Sequence, residues 1–454
     1  MKRVALHTLG CKLNFAETST LGRQFLERGF RIVAASEHAD VYLLNTCSVT
    51  ERADREARQI VRRFLRKSPG AYVIVVGCYA QLAADEIAAI DGVDVILGAD
   101  EKFRLFEYVN GFKKEAVPKI HISDRERAAE FRVAYAAEVG GRTRAFLKIQ
   151  DGCDFGCSFC TIPLARGESR SASVEQVVRE AREIARRGYR EIVLTGVNVG
   201  DYGRKDGSDL MRLLDVLQQN EGIERIRISS IEPNLLTPEI VDYIVGSDKV
   251  CNHFHIPLQS GSDSVLKRMR RRCFTGEYRE LIDHIRSKDP DAGIGADVIV
   301  GFPGETESLF DETYRFLLEL PVTYLHVFSY SERENTPALR LDGSVQPKER
   351  QRRSEMLRIL GRKKRYAFAS RFLDRRVEVL FEEKTDGKRI SGLTSNYIRV
   401  SVPADELLTN EIRPVWIREV LSDECLGELA HAERHVDRPT EKKRNLKLHS
   451  AIAP

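Results

Sequence analysis

The chain has 454 residues, 42% of them hydrophobic and 31% charged, with a net charge of +4 and nine cysteines. That length exceeds one ordinary domain and allows about three, and the composition excludes a disordered or fibrous protein. No apolar run approaches the roughly 18 residues of a spanning helix and the N-terminus lacks a signal-peptide pattern, so a cytoplasmic protein with no membrane association is expected.

The first ~100 residues alternate strand and helix signals. Strands are expected at Val4 to Thr8, Arg31 to Ala34, Val41 to Asn45, Tyr72 to Val76 and Val93 to Leu97, with helices at Phe15 to Arg28, Val49 to Lys67 and Leu82 to Ile90. This reads as a doubly wound parallel α/β sheet. Cys11, Cys47 and Cys78 fall just beyond three of the strands, at the sheet edge where ligands bind in such folds. A single buried thiol is often a small hydrophobe, but three at one edge point to a shared ligand set. The charged, irregular stretch from Phe112 to Gly141 reads as a linker.

Six further strand-helix units are expected, with strands at Ala145 to Ile149, Glu191 to Leu194, Arg225 to Ser229, His253 to Pro257, Gly293 to Val300 and Tyr324 to Ser329. They imply an open, partial (β/α)6 barrel, whose chemistry sits at the carboxyl ends of its strands. Directly after the first comes Asp151-Gly-Cys-Asp-Phe-Gly-Cys-Ser-Phe-Cys160. Cys153, Cys157 and Cys160 offer three thiolates where a cubane cluster needs four, which leaves one iron open to bind something else. Zinc is the other metal to weigh, but structural zinc sites close four ligands, and no fourth Cys or His falls between Thr161 and Arg170. The three strand-end cysteines then suggest a second cluster.

Other candidates end successive strands: Gly196 and Asn198 after the second, Ser230 and Glu232 after the third, Gln259 after the fourth and Asp297 in the fifth. Each is weighed against plain turn or hydrogen-bonding duty. Arg166 and Arg170 follow the cysteine loop and suit bidentate capture of a carboxylate or phosphate, or else a surface ion pair. Cys251, Cys273 and Cys425 read as packing residues.

From Lys348 to Arg376 twelve basic residues face three acidic ones, a net +9 that leaves −5 for the rest. This is the footprint of a polyanion-binding surface, or a solvated helix face. Beyond it, strands at Arg376 to Glu382, Lys388 to Thr394, Tyr397 to Val402 and Glu411 to Val420 imply a small antiparallel β-barrel, followed by a basic tail.

The Cys-x₃-Cys-x-aromatic-Cys signature, here Cys153, Cys157, Phe159 and Cys160, resembles that of the radical S-adenosylmethionine (SAM) enzymes. In that superfamily the open iron chelates SAM, and one electron cleaves it to a 5′-deoxyadenosyl radical. With three N-terminal cysteines and a C-terminal barrel, the whole chain resembles the methylthiotransferases. The resemblance implies a cluster domain (1–125), a radical SAM domain (139–370), an RNA-binding TRAM domain (373–436) and a basic tail (437–454). It also implies two [4Fe-4S] clusters, on Cys11, Cys47 and Cys78 and on Cys153, Cys157 and Cys160. Phe159, Gly196, Asn198, Ser230, Glu232, Gln259, Asp297, Arg166 and Arg170 are then expected around SAM. The implied partners are the tRNA anticodon arm, a reductant such as flavodoxin or ferredoxin, and a sulfur donor left undefined. Gly10-Cys-Lys-Leu-Asn14 and Leu393-Thr-Ser-Asn-Tyr-Ile-Arg-Val400 resemble the branch acting on C2 of N6-threonylcarbamoyladenosine in tRNA. The branches acting on isopentenyladenosine or on a ribosomal-protein aspartate, an RNA-binding protein with structural clusters, and a radical enzyme of another reaction are the alternatives.

Overall fold

A computed structural model describes residues 1–109, 111–114, 116–123, 131–136, 143–384 and 387–430. The expected basic tail and the Gly140-Gly141 break lie outside the described residues.

The N-terminal sheet consists of β1 (Arg3–Thr8), β2 (Arg31–Val33), β3 (Val41–Thr46), β4 (Tyr72–Gly77), β5 (Val95–Leu97) and β6 (Lys119–His121), in the order β2-β1-β3-β4-β5-β6. Every pairing is parallel. All residues of β3 and β4 are buried, because helices cover both faces. Ala57, Ile60, Val61 and Phe64 of helix Glu51–Lys67 pack on one face, and Leu21 and Phe25 of helix Lys12–Glu27 on the other. Two expectations need correction. The helix read as Leu82 to Ile90 is two short ones, Cys78–Leu82 and Ala84–Ala88, broken where Ala83 leaves helical geometry (φ −144°, ψ 50°). The supposed linker contributes β6 to this sheet and β7 (Ala134–Ala136) to the next domain.

The central domain carries six parallel strands: β8 (Arg144–Lys148), β11 (Glu191–Thr195), β12 (Arg225–Ile228), β13 (His253–His255), β14 (Gly293–Val300) and β15 (Tyr324–Ser329). Their ladder runs β8-β11-β12, then β13-β14-β15, and the halves are joined by Cys251 N–H to Ile226 O (2.8 Å) and Ile231 N–H to His255 O (3.1 Å). A short pair, β9 (Gln150–Asp151) with β10 (Arg170–Ser171), brackets the cysteine loop. The open partial barrel is thus present, with β7 added antiparallel to β8.

Helix Pro347–Ser370 leads to a closed five-stranded barrel of β16 (Arg376–Lys384), β17 (Arg389–Thr394), β18 (Arg399–Pro403), β19 (Ile412–Val420) and β20 (Cys425–Leu429). β20, which the sequence pattern does not announce, closes it and pairs parallel with β18, while the other pairings are antiparallel. This barrel docks on the amino ends of the central strands. Arg225 donates to Leu393 O and Glu378 O, Arg227 to Ser395 O and Thr394 O, and Asn396 to Asp291 O.

The basic run is largely engaged within the fold. Buried Arg350 and Arg353 pair with Glu332 and Glu305, Arg352 with Glu307 and Glu349, and Arg371 and Arg375 with Asp291. Lys364 donates to Leu318 O and Leu320 O at the end of helix Glu307–Glu319. Cys251, Cys273 and Cys425 are buried, as packing residues are. No helix among the described residues is long and apolar enough to cross a membrane.

Candidate active site

Cys11, Cys47 and Cys78 follow β1, β3 and β4 at the carboxyl edge of the N-terminal sheet. Asn14 Nδ2 donates to Leu9 O (2.8 Å) and Thr46 O (3.0 Å), tying the first two loops together. Thr46 Oγ1 donates to Val76 O (2.7 Å) and receives Ala80 N–H (3.3 Å), tying in the third. Gly10 adopts φ +94°, and a Cβ there would lie 2.7 Å from Cys47 Sγ, so the backbone passes directly against the thiol. The three thiols lie within electrostatic reach of one another. Burial pushes Cys47 up to about 12, which leaves it a neutral thiol at pH 7 unless a metal ion displaces the proton.

The central trio is set in a loop whose sulfurs meet N–H donors. Phe155 N–H points at Cys153 Sγ (3.4 Å), Ile162 N–H at Cys160 Sγ (3.4 Å) and Arg271 Nη1 at Cys157 Sγ (3.5 Å). Such donors suit thiolate ligands of a cluster and tune its electronics. Burial raises Cys153 to about 11 and Cys160 to about 12, so these thiols too await a metal. Gly152 makes the loop's entry turn at φ +72°, and a Cβ there would stand 1.9 Å from Glu168 O. Gly152→Ala therefore adds left-handed strain of about 1–2 kcal/mol to a backbone clash. Iron bound by the purified variant and its SAM cleavage should both fall well below the parent's; parental values would show that the turn tolerates a side chain.

The expected strand-end residues converge. Val199 N–H donates to Ser230 O (3.2 Å), Glu232 N–H to Asn198 Oδ1 (3.4 Å), and Asn198 N–H to Gln150 Oε1 (2.9 Å). Gly196 packs its backbone on the Gln150 side chain. Asn198 Nδ2 is buried with no partner among the described residues, a donor left over for a ligand. Glu232 grips Arg271 (2.5 Å), the residue that faces Cys157. Phe159, Cys160, Gln259 and Asp297 share a cavity of about 210 Å³ with Val49, Thr50 and Phe328. Gln259 holds φ +79°, a strained conformation of the kind found at functional sites. Asp297 accepts from His255 Nε2 (2.8 Å) and His326 Nδ1 (3.1 Å). Burial opposes its charge, but the two imidazoles outweigh this and hold it well below the usual carboxylate range. Nothing in the sequence singles out Arg271, His255 and His326, since no spacing pattern marks them.

Arg166 and Arg170 do not face this cavity as free clamps. Arg166 is buried and binds Glu17 (3.0 Å), Asp151 (2.9 Å) and Asn14 Oδ1 (2.6 Å); Arg170 binds Asp100 (3.1 Å) and Asp151 (3.4 Å). Lys102 and Lys148 complete the cluster at 2.5 and 2.9 Å from Glu17. These contacts fasten the N-terminal sheet to the barrel, and at the same seam Thr161 Oγ1 donates to Ser48 O (3.2 Å). The residues that follow Cys160 and Cys47 thus touch, which puts these two cysteines at one seam between the domains.

Residues 147–317 match the family model of the radical SAM superfamily, and residues 3–98 that of uncharacterized protein family UPF0004. The chain is 39% identical to the threonylcarbamoyladenosine tRNA methylthiotransferase MtaB of Bacillus subtilis, over 92% of this chain and 94% of that one. It is 37% identical to MtaB of Aquifex aeolicus (88% and 96%) and 34% identical to the tRNA-2-methylthio-N(6)-dimethylallyladenosine synthase of Methylobacillus flagellatus (94% and 99%). The radical SAM methyltransferase TsrM of Kitasatospora setae shares the fold at TM-score 0.51 and 15% identity, over 75% of each chain.

Proposed function

We propose that this chain, which belongs to the radical SAM methylthiotransferase family, places a methylthio group on C2 of N6-threonylcarbamoyladenosine in the anticodon arm of tRNA. The observation that carries the reading is the seam at Thr161 and Ser48, which joins the residue after Cys160 to the residue after Cys47. Two clusters fit: Cys153, Cys157 and Cys160 would hold the one that works with SAM, and Cys11, Cys47 and Cys78 would hold the other. When bound, these groups would supply the radical that removes the C2 hydrogen and the sulfur that replaces it, a second SAM the methyl group, and an external donor such as flavodoxin or ferredoxin the electrons.

The protein's part is position. Phe155, Ile162 and Arg271 direct N–H groups at the three central sulfurs, and Glu232 fixes the Arg271 fork. Gly196, Asn198, Ser230 and Glu232 line the SAM side of the crevice, with the spare Asn198 Nδ2 as a donor. Phe159, Gln259 and Asp297 line the adjoining cavity together with the apolar Val49, Ile299 and Phe328.

The deciding assay gives reconstituted enzyme tRNA bearing threonylcarbamoyl- or isopentenyladenosine and follows the methylthio nucleoside by mass spectrometry. Product from the threonylcarbamoyl RNA alone supports the reading. Product only from the other RNA, or from neither, overturns it.

The C-terminal barrel and the exposed face of helix Pro347–Ser370 grip the RNA backbone in this reading. Because Lys364 caps a neighbouring helix and Arg362 pairs with Glu355, exposed Lys363 is the cleaner probe. Lys363→Glu should weaken tRNA binding and flatten its log-log salt dependence by roughly 0.7–0.9 for each phosphate that the side chain neutralises in the parent. Lys364→Glu should instead lower thermal stability. An unchanged salt slope in the Lys363 variant would remove this helix from the RNA footprint.

A further inference from the structure

Lys12 opens helix Lys12–Glu27 immediately after Cys11, and its side chain is half-buried. A cation in the first helical turn meets the positive end of the backbone dipole, an unfavourable placement. Groups within electrostatic reach of its ammonium include Tyr397, Arg144, Arg227, Glu191 and His253. Both arginines already have carboxylates: Arg144 binds Glu382 (2.8 Å), and Arg227 binds Glu191 (2.8 Å) together with two carbonyls of the C-terminal barrel. Among the described residues none hydrogen-bonds or ion-pairs with the Lys12 ammonium. Lys12, the residue that follows Cys11, therefore adds a cation where Arg144 and Arg399 already share Glu382 and Arg227 holds Glu191. Such a conflict between a residue and its surroundings marks a place where a ligand supplies what the fold omits, and the missing group here is one small anion.

The substrate reading above, on which this step rests, provides one. The threonylcarbamoyl substituent ends in a carboxylate, whereas an isopentenyl substituent is apolar and uncharged. We propose that the Lys12 ammonium binds the threonyl carboxylate of the RNA nucleoside and so sets the choice of N6 substituent. The same residue attracts one substrate and penalises the other, since an apolar group placed against it would remove water from an unpaired charge.

The test uses full-length reconstituted enzyme as parent, Lys12→Gln and Lys12→Arg. Each receives threonylcarbamoyl-tRNA and the same RNA with its threonyl carboxylate converted to a methylamide. For the parent, kcat/KM should fall roughly tenfold to hundredfold from carboxylate to amide, chiefly through KM, as expected for loss of a charged hydrogen bond. In Lys12→Gln that ratio should shrink towards one with iron content unchanged, and Lys12→Arg should keep most of it. A Gln variant that discriminates as the parent does overturns the proposal. So does one that loses iron and slows equally on both RNAs, which would give the ammonium to the Cys11 centre instead. A parent that modifies neither RNA but accepts the isopentenyl form refutes the substrate reading and this step with it, and is told apart because the parent itself fails.

Discussion

Alanine at Cys153, Cys157 and Cys160 together should remove about half of the reconstituted iron, four ions of eight for two cubane clusters, and abolish 5′-deoxyadenosine formation. The three sulfurs lie in one loop and each receives its own N–H donor, so no neighbouring side chain replaces them. The companion variant, with alanine at Cys11, Cys47 and Cys78, should lose a similar share of iron yet still cleave SAM, because the seam at Thr161 and Ser48 joins the two groups without merging them. It should form no methylthio nucleoside. Undiminished 5′-deoxyadenosine in the first variant, or full parental iron in the second, would sink the corresponding assignment.

Glu17→Gln should loosen the N-terminal domain from the barrel by about 3–5 kcal/mol, the usual cost of stranding buried charge. Glu17 is fully buried and receives Lys102, Lys148 and Arg166, so its neutralisation leaves Lys148 and Arg166 to share Asp151 with Arg170 and strands the buried Lys102 ammonium. The expected readout is a lower denaturant midpoint and protease cleavage between the two domains. Burial opposes the charge of Glu17 and of Asp151, but the cations outweigh it and hold both carboxyls well below their usual range. Their stabilisation is fully present above the pH near 4 at which such carboxyls titrate in the unfolded chain. It disappears as pH falls through the lower folded values. The parent should therefore lose domain docking only in strong acid, while the Gln variant should show a flatter acid limb. A variant as stable as the parent at pH 7 would mean that water or rearrangement compensates the cluster.

Much of this arrangement is legible in the sequence because it is local. The Cys-x₃-Cys-x₂-Cys spacing, the glycines beside Cys11 and Cys78, and the continuous apolar runs of β3 and β4 each fit within a dozen residues. What is not legible is non-local or short. β6 is a three-residue edge strand with exposed Lys119 and Ile120, and it reads as linker because its partner β5 lies more than 20 residues earlier. β20 closes the C-terminal barrel by pairing with β18 across two dozen residues. Arg166 resembles an anion clamp in its own segment, yet its partner Glu17 stands 149 residues away. The basic run misleads for the same reason: Glu305, Glu307, Glu332 and Asp291, which neutralise much of it, all come from other elements. Asp297 is readable as a strand-end carboxylate, but not its two histidines, which arrive from β13 and β15.

Helix Lys12–Glu27 starts at Cys11 and is fastened to the barrel through Asn14 and Glu17, one to two turns further on. The gap between the two thiol groups is thus inherited from a rod with a rise of about 1.5 Å per residue, and not from a hinge between domains. In the two-cluster reading, whatever passes between the two groups crosses a spacing set by that rod. In the reading proposed above, accommodation is then left to the RNA, whose adenosine leaves its stack to reach a site of fixed spacing.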